Sequence, residues 1–257
     1  MRIVKAHALG NDFLLIEGSQ MTAGADRAAL ARELCDRHRG IGADGLIVHA
    51  SNRMHLLNAD GSYSEVSGNG VRCLAAWFAM QGNLAAGAHV AIDTDAGVKD
   101  LELLARDGRR LTFRAAMGHP EDVRQRTLDV HGTPVTAITL RVGNPQCVVL
   151  GDVTEDRLHA VGASLAVHPA FPQGTNVELA TVERLDRVRI LIWERGAGPT
   201  HASGTGACAA AVAAAAYGGA AHDVQVVSPG GSQRVEWTDQ GLFLTGWAEV
   251  VLEGRVC

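Results

Sequence analysis

The sequence predicts an α/β protein built from two pseudo-symmetric halves, and three observations carry that expectation. A chain of 257 residues is longer than one small core needs and suits two domains of about 120 residues each. Short apolar runs of strand length outnumber helical patterns, and both kinds recur in each half. The sequence S-G-N-G at residues 67–70 returns as S-G-T-G at 203–206, each time ahead of a run of small and apolar residues.

The elements follow in order. Met1–Ile16 reads as strand, loop, strand, with Gly10, Asn11 and Asp12 as turn formers. Asp26–Arg37 reads as an amphipathic helix, with Ala28, Leu30 and Leu34 apolar against Arg27, Arg32 and Glu33. The G-I-G-A-D-G loop at 40–45 stops it, and strands are expected at Leu46–His49 and Met54–Leu57. After the first S-G-N-G, the residues Val71, Leu74, Ala75 and Phe78 have the spacing of one helix face, and Ala76 and Trp77 make most of that helix apolar. Strands are expected at Val90–Asp93, Lys99–Leu104 and Arg110–Arg114. The stretch M-G-H-P-E-D at 117–122 interrupts both periodicities and marks the expected boundary, giving domains 1–117 and 118–246. The second half repeats the plan. It has strands near Ala137–Val142 and Cys147–Leu150, a helix near Glu155–Val167, and strands at Val177–Ala180 and Arg187–Trp193. A helix over Ala207–Tyr217 follows the second S-G-T-G, and strands fill the rest. Asn58 and Glu194 each lie nine residues before their serine, so the repeat keeps register.

Composition narrows the function classes. Charged residues are 20% of the chain, the formal net charge is −5, and no long basic run occurs, which argues against a nucleic-acid partner. Aromatic residues at 4% are too few for base-stacking platforms. The most apolar run, Ala207–Tyr217, is too short to span a membrane, and the first residues lack the apolar core of a secretion signal, so the expected compartment is the cytoplasm. Five cysteines at 35, 73, 147, 208 and 257 form no C-x-x-C, which argues against zinc or a disulfide framework and reads most of them as core residues.

The repeated S-G-x-G is a helix entrance with chemistry to offer. Serine caps a helix by accepting a hydrogen bond from an early N–H. The glycines let backbone N–H groups approach a ligand, and the helix dipole favours an anion there. Two such entrances would suit one small carboxylate or phosphate. A single copy would be only a cap and turn. Neither copy fits a P-loop, which needs G-K-[ST], nor a dinucleotide fingerprint, which needs a third glycine.

The ordered landmarks of the chain resemble those of the diaminopimelate epimerase family nearly end to end. They are H-A-L-G-N-D-F (7–13), R-H-R-G-I-G-A-D-G (37–45), N-A-D-G-S (58–62) and S-G-N-G-V-R-C (67–73). They continue with G-N-P-Q-C-V (143–148), G-T-N-V (174–177), E-R-G-A-G (194–198) and S-G-T-G-A-C-A (203–209). The resemblance implies two domains, each a β-barrel-like sheet around a central helix, with the active site in the cleft between them. It implies that the last strand, within 247–257, packs back onto the first domain. It implies a dimer, a small amino-acid substrate, and neither cofactor nor metal. The family inverts an amino-acid α-carbon with two acid/base groups on opposite faces. By the same resemblance Gly68, Asn69, Gly204 and Thr205 hold the α-carboxylate through backbone N–H groups. Asn58, Asn144, Asn176 and Arg195 match positions for the distal carboxylate, and Asn11 and Glu194 match positions near the amino group.

The chain departs from the family pattern at the acid/base machinery. The family's two cysteines are Ser67 and Ser203 here, Gln146 stands at a histidine position, and Pro199 at a glutamate position. A hydroxyl is a far weaker acid than a thiol at a helix N-terminus and needs a neighbouring base. Glu65 and His201, each two residues before its serine, are candidate relays. Several readings follow: a serine-based isomerase, a member that binds an amino acid without turnover, or a double-bond isomerase of the phenazine-pathway type. A deliberately inactivated enzyme would account for the serines but not for Gln146 or Pro199. The leading expectation is inversion at Cα of diaminopimelate or a similar dicarboxylic amino acid, as in lysine and cell-wall precursor biosynthesis, with Ser67 and Ser203 in the acid/base positions.

Overall fold

The structure is a computed structural model that describes residues 1–22 and 24–256. The expected C-terminal segment therefore reaches one residue, 257, beyond those described. The chain divides into two compact units, Met1–Ala115 with Gly246–Cys257, and Ala116–Thr245.

The first unit contains β1 (Arg2–Ala8), β2 (Asn11–Glu17), α1 (Arg27–Cys35), β3 (Gly45–Ala50), β4 (Arg53–Asn58), β5 (Tyr63–Ser64), α2 (Gly68–Gln81), β6 (His89–Thr94) and β7 (Gly97–Asp107). It also holds most of β8 (Arg110–Gly118). β2 pairs antiparallel with β1 and parallel with β3. β4 pairs antiparallel with β3 and β5 and parallel with β6. β6, β7 and β8 continue antiparallel.

The second unit contains β9 (Glu121–Val130), β10 (Thr133–Val142), β11 (Asn144–Leu150), α3 (Glu155–Arg157), α4 (Ala163–Ala166), β12 (Asn176–Arg184), β13 (Arg187–Glu194) and β14 (Gly198–Thr200). α5 (Gly204–Tyr217), β15 (Asp223–Ser228), β16 (Gly231–Thr238) and the start of β17 (Gly241–Arg255) complete it. Its pairings repeat the first unit step for step: β10–β11 antiparallel, β11–β12 parallel, β12–β13 antiparallel, β13–β15 parallel, and β15–β16–β17 antiparallel. The rest of β17 belongs to the first unit, where it pairs with β1 and β8, Val250 N–H reaching Arg109 O at 3.2 Å, and closes that unit's strands into a ring.

The strands of each unit surround one helix, which is apolar on nearly every side. In α2 every residue from Asn69 to Trp77 is buried, and in α5 every residue from Gly204 to Ala214 is. Alanines dominate α5, so strands can approach it closely from all round. Ala207 to Ala214 form one cluster with Ile138, Leu140, Val148, Ala180, Ile190, Val226 and Leu244. Strand alternation sends Val177 and Leu179 to the opposite side of β12, where they pack with Leu158 and Leu165. A mixed α/β fold of strand-built units around central helices is therefore what the sequence led us to expect. The helix expected over Glu155–Val167 is instead broken: α3 passes through a π-turn at Leu158–Gly162 into α4. Gly162 lies against β13, where a β-carbon would sit 3.4 Å from Trp193 Cβ, and the helix bulges as it passes this strand. Among the described residues no helix is long and apolar enough to cross a membrane.

Candidate functional site

Each helix entrance is built the same way. Ser67 is the N-cap of α2 with extended backbone (φ −130°, ψ 123°), and its Oγ accepts from Gly70 N–H at 3.1 Å. Ser203 is the N-cap of α5 (φ −137°, ψ 134°), and its Oγ accepts from Gly206 N–H at 3.2 Å. Gly68 and Asn69, and likewise Gly204 and Thr205, then occupy the first two helical positions, whose N–H groups point out of the helix end. Ser203 is 4% exposed, and Thr205 is also buried, so an anion held here would feel little solvent screening.

In the first unit a hydrogen-bond chain fixes the entrance. Asn69 Nδ2 donates to Asn11 Oδ1 at 3.1 Å, and Asn11 Nδ2 donates to Asp44 at 2.8 Å. Arg72, fully buried, donates to Asn69 Oδ1. Behind Asn11, the buried Asp12 takes Lys5 at 3.0 Å and Arg37 at 2.8 Å, and Arg37 also grips Asp44 at 2.8 Å. Burial pushes the Asp12 carboxyl up, but hydrogen bonds from Arg37 and Lys5 outweigh it and hold the group below the usual carboxylate range. Asn58, at the end of β4, stands apart from this chain: its side chain donates to Ser62 Oγ at 2.9 Å.

The second unit groups the remaining candidates. Asn144 Oδ1 accepts from Gln146 Nε2 at 2.6 Å. Gln146 is opposite Asn176 in the parallel β11–β12 ladder, and Asn176 Oδ1 accepts the backbone N–H of Arg195 at 2.9 Å. Arg195 Nη1 donates to Gln173 O at 2.8 Å. Its side chain lies across Gly174, where a β-carbon would come within 2.8 Å of Arg195 Cδ and where φ is +72°; glycine is required on both counts. Glu194 ends β13, and Pro199 faces Trp193 across the β13–β14 pair. A cavity of about 320 Å³ adjoins this group, lined by Arg124, Arg126, Arg141, Gln146, Phe171 and Gln173 among others. Its three arginines were not singled out in the sequence.

The four described thiols lie in the core. Cys35, Cys73, Cys147 and Cys208 are buried. Burial pushes Cys35 up to about 12 and drives Cys73 and Cys147 higher still. The relays considered for the serines are not formed: Glu65 and His201 are exposed, and the hydrogen bonds of the serine hydroxyls run to Gly70 and Gly206. Among the described residues no group of acidic, histidine or cysteine side chains could hold a metal ion.

One group escaped the sequence reading. Glu178, on the α5 face of β12, is completely buried, and both of its carboxyl oxygens lack a hydrogen-bond partner. Burial, with the charge of Glu194 added, raises it well above the usual carboxylate range. It lies directly beneath the second entrance, since a β-carbon on Gly206 would fall 2.6 Å from Glu178 Oε1.

The comparisons with known proteins agree with this geometry. The family model described as diaminopimelate epimerase matches residues 3–123 and 138–251. The chain is 40% identical over 276 residues to the diaminopimelate epimerase of Desulforudis audaxviator, covering 99% of both chains. It is 38% identical to that of Moorella thermoacetica, covering 99% of this chain and 98% of the relative. Among solved structures, a predicted epimerase from Pseudomonas aeruginosa superposes with a TM-score of 0.77 at 16% identity, over 99% of this chain and 98% of the other. A hydroxyproline epimerase from Agrobacterium vitis superposes at 0.70 and 16% identity, over 100% and 90%; these two likenesses speak to fold alone. The full-length matches, and the landmarks placed on two capped helix entrances, mean that the chain belongs to the diaminopimelate epimerase family.

Proposed function

We propose that the chain is a cofactor-independent isomerase that inverts Cα of diaminopimelate or a closely similar dicarboxylic amino acid. The observation that carries this reading is the pair of serine-capped, glycine-lined helix entrances, one in each repeat of the fold. Each presents two N–H groups and the positive end of a buried helix to an α-carboxylate. The same donors stabilise charge that builds up on the carboxylate as the α-proton leaves, so they act most strongly where the reaction needs them.

The other roles follow from chemistry. The guanidinium of Arg195 is a charged donor for the distal carboxylate, with the amides of Asn58, Asn144 and Asn176 beside it in that role. Asn11 and Glu194 serve the amino group, Asn11 being fixed by Asp44 and Asn69. Ser67 and Ser203 take the two acid/base positions, each hydroxyl aligned by its own cap. Within the cytoplasm the enzyme would act as a homodimer, on a small substrate, with neither cofactor nor metal.

The test is α-proton exchange in deuterated water, followed by NMR on LL-diaminopimelate, beside a Ser67→Cys/Ser203→Cys double variant. Exchange by the unmodified protein is the expected result. Exchange only by the double variant would show that the hydroxyls do not turn over, and binding without exchange in either protein would make this a binding member of the family.

A further inference from the structure

The two entrances have the same cap but rest on different floors. The ladders identify matching positions: Leu15 pairs with Ile47 in the parallel β2–β3 ladder, and Val148 pairs with Glu178 in the parallel β11–β12 ladder. Both residues lie under the third helical residue of their entrance. A β-carbon on Gly70 would meet Ile47 Cδ1 at 3.2 Å and Ser67 Cβ at 3.3 Å. A β-carbon on Gly206 would meet Glu178 Oε1 at 2.6 Å, Ser203 Cβ at 3.1 Å and Ser203 Oγ at 3.2 Å. One hydroxyl thus stands over a hydrocarbon and the other beside a carboxyl group.

That carboxyl is costly. A polar group buried without a hydrogen bond loses its hydration for nothing in return, and both oxygens of Glu178 are in that state. Hydrophobic packing does not call for it, because its neighbours on the α5 face include Ala180 and the alanines of α5. The first unit fills the matching place with Ile47, which is buried. Unpartnered polar groups of this kind are associated with function. The titratable groups acting on it are Glu194 on β13 and Cys147 on β11.

We infer that Glu178 is the proton reservoir behind Ser203, a positioning residue that gives the second entrance an acid the first entrance lacks. The inference rests on the isomerase reading above. When Ser203 protonates the carbanion, the new Cα–H bond forms as Oγ–H breaks, and Oγ takes the carboxyl proton of Glu178, leaving a carboxylate. In the reverse direction the α-proton passes to Oγ while the hydroxyl proton returns to that carboxylate. Water recharges or drains Glu178 between turnovers. Rotation of Ser203 about Cα–Cβ, or one intervening water, closes the remaining gap, as is usual in a site without substrate. Ser67, over Ile47, has no carboxyl beside it: as its Oγ takes the α-proton its hydroxyl proton passes to a water molecule acting as the base, and in the reverse direction water returns it, so the two faces of the reaction are chemically unequal.

The experiment is an epistasis measurement. Glu178→Gln keeps the shape and removes the exchangeable acid. In the unmodified background it is expected to lower kcat for isomerisation about 100-fold while leaving KM and the calorimetric Kd within about threefold, and to abolish one limb of the pH–rate profile. In the Ser203→Cys background, where a thiol at a helix N-terminus needs no reservoir, the same change is expected to alter kcat less than about threefold. Equal losses in both backgrounds, or a loss confined to KM, would overturn the inference. If neither background isomerises, the isomerase reading fails by itself and Glu178 is read directly. Infrared difference spectra with labelled glutamate should then show a neutral carboxyl band at pH 7 that moves on Ser203→Ala. A band that does not move, or a carboxylate, would overturn the inference independently.

Discussion

Replacing Glu178 by glutamine should make the protein more stable at neutral pH, and by an amount that depends on pH in a definite way. The side chain is fully buried with no partner for either oxygen, and its folded-state value lies well above 4.5 because of burial first and the charge of Glu194 second. A raised folded value means that the folded form keeps its proton while the unfolded chain releases it. The stability is therefore intact below the unfolded value and is lost as pH climbs toward the folded one. Each pH unit in that interval costs the unmodified protein about 1.4 kcal/mol, so the cost by pH 7 reaches at most about 3.5 kcal/mol. Glutamine matches the neutral carboxyl in shape and buried polarity and has no proton to lose, so the variant should escape this slope. Urea unfolding of both proteins from pH 4.5 to 8 measures it: the free energies should coincide near pH 4.5 and diverge steadily above it. Parallel curves would mean that Glu178 is ionised or solvated in the folded protein, and would refute the reasoning.

Three further expectations concern other parts of the site. Ser67→Ala and Ser203→Ala each remove one cap and should cost about 1 kcal/mol of stability by denaturant unfolding, while exchange of the α-proton is abolished. Asp12→Asn should cost roughly 2–4 kcal/mol at pH 7, because Lys5 and Arg37 lose a buried anion. That difference should vanish as pH falls through the depressed folded value of Asp12, where the unmodified protein also loses the charge; thermal melts from pH 2 to 7 check it. The thiols of Cys35, Cys73, Cys147 and Cys208 should resist alkylation at pH 8 until the protein is unfolded, since they are buried and held as neutral thiols wherever a shift is resolved; mass spectrometry with and without urea reads this out.

Much of the fold could be read in the chain because local chemistry and tertiary packing agree there. Ser67 and Ser203 advertise helix starts, and both act as caps. The apolar residues round most of the first helix, and the run of small and apolar residues in the second, foretold the burial that both helices show. The π-turn at Leu158–Gly162 was hidden because it comes from packing on β13, and the single glycine it contains, Gly162, is tolerated inside a helical pattern. Glu178 was hidden for a related reason. A glutamate between two apolar strand residues reads as solvent-facing by alternation, and only a helix lying on that face makes it buried. Its correspondence with Ile47 was also invisible, because one precedes its serine by 25 residues and the other by 20; ladder register supplies the match. Asn11, Asn144, Asn176 and Arg195 were singled out through motifs, but the partners the fold gives them, Asp44 for Asn11, Gln146 for Asn144, Gln173 for Arg195 and the Arg195 backbone N–H for Asn176, needed the structure.

The central claim is that this chain inverts an α-carbon using hydroxyls and no cofactor. It is tested most directly by incubating protein stripped of small molecules, in chelator and without pyridoxal phosphate, separately with LL- and meso-diaminopimelate, and following both isomers by chiral chromatography. The account predicts conversion from both sides to one common mixture, lost on Ser203→Ala. Each substrate bound and returned unchanged, or conversion appearing only when a metal or pyridoxal phosphate is added, would contradict it.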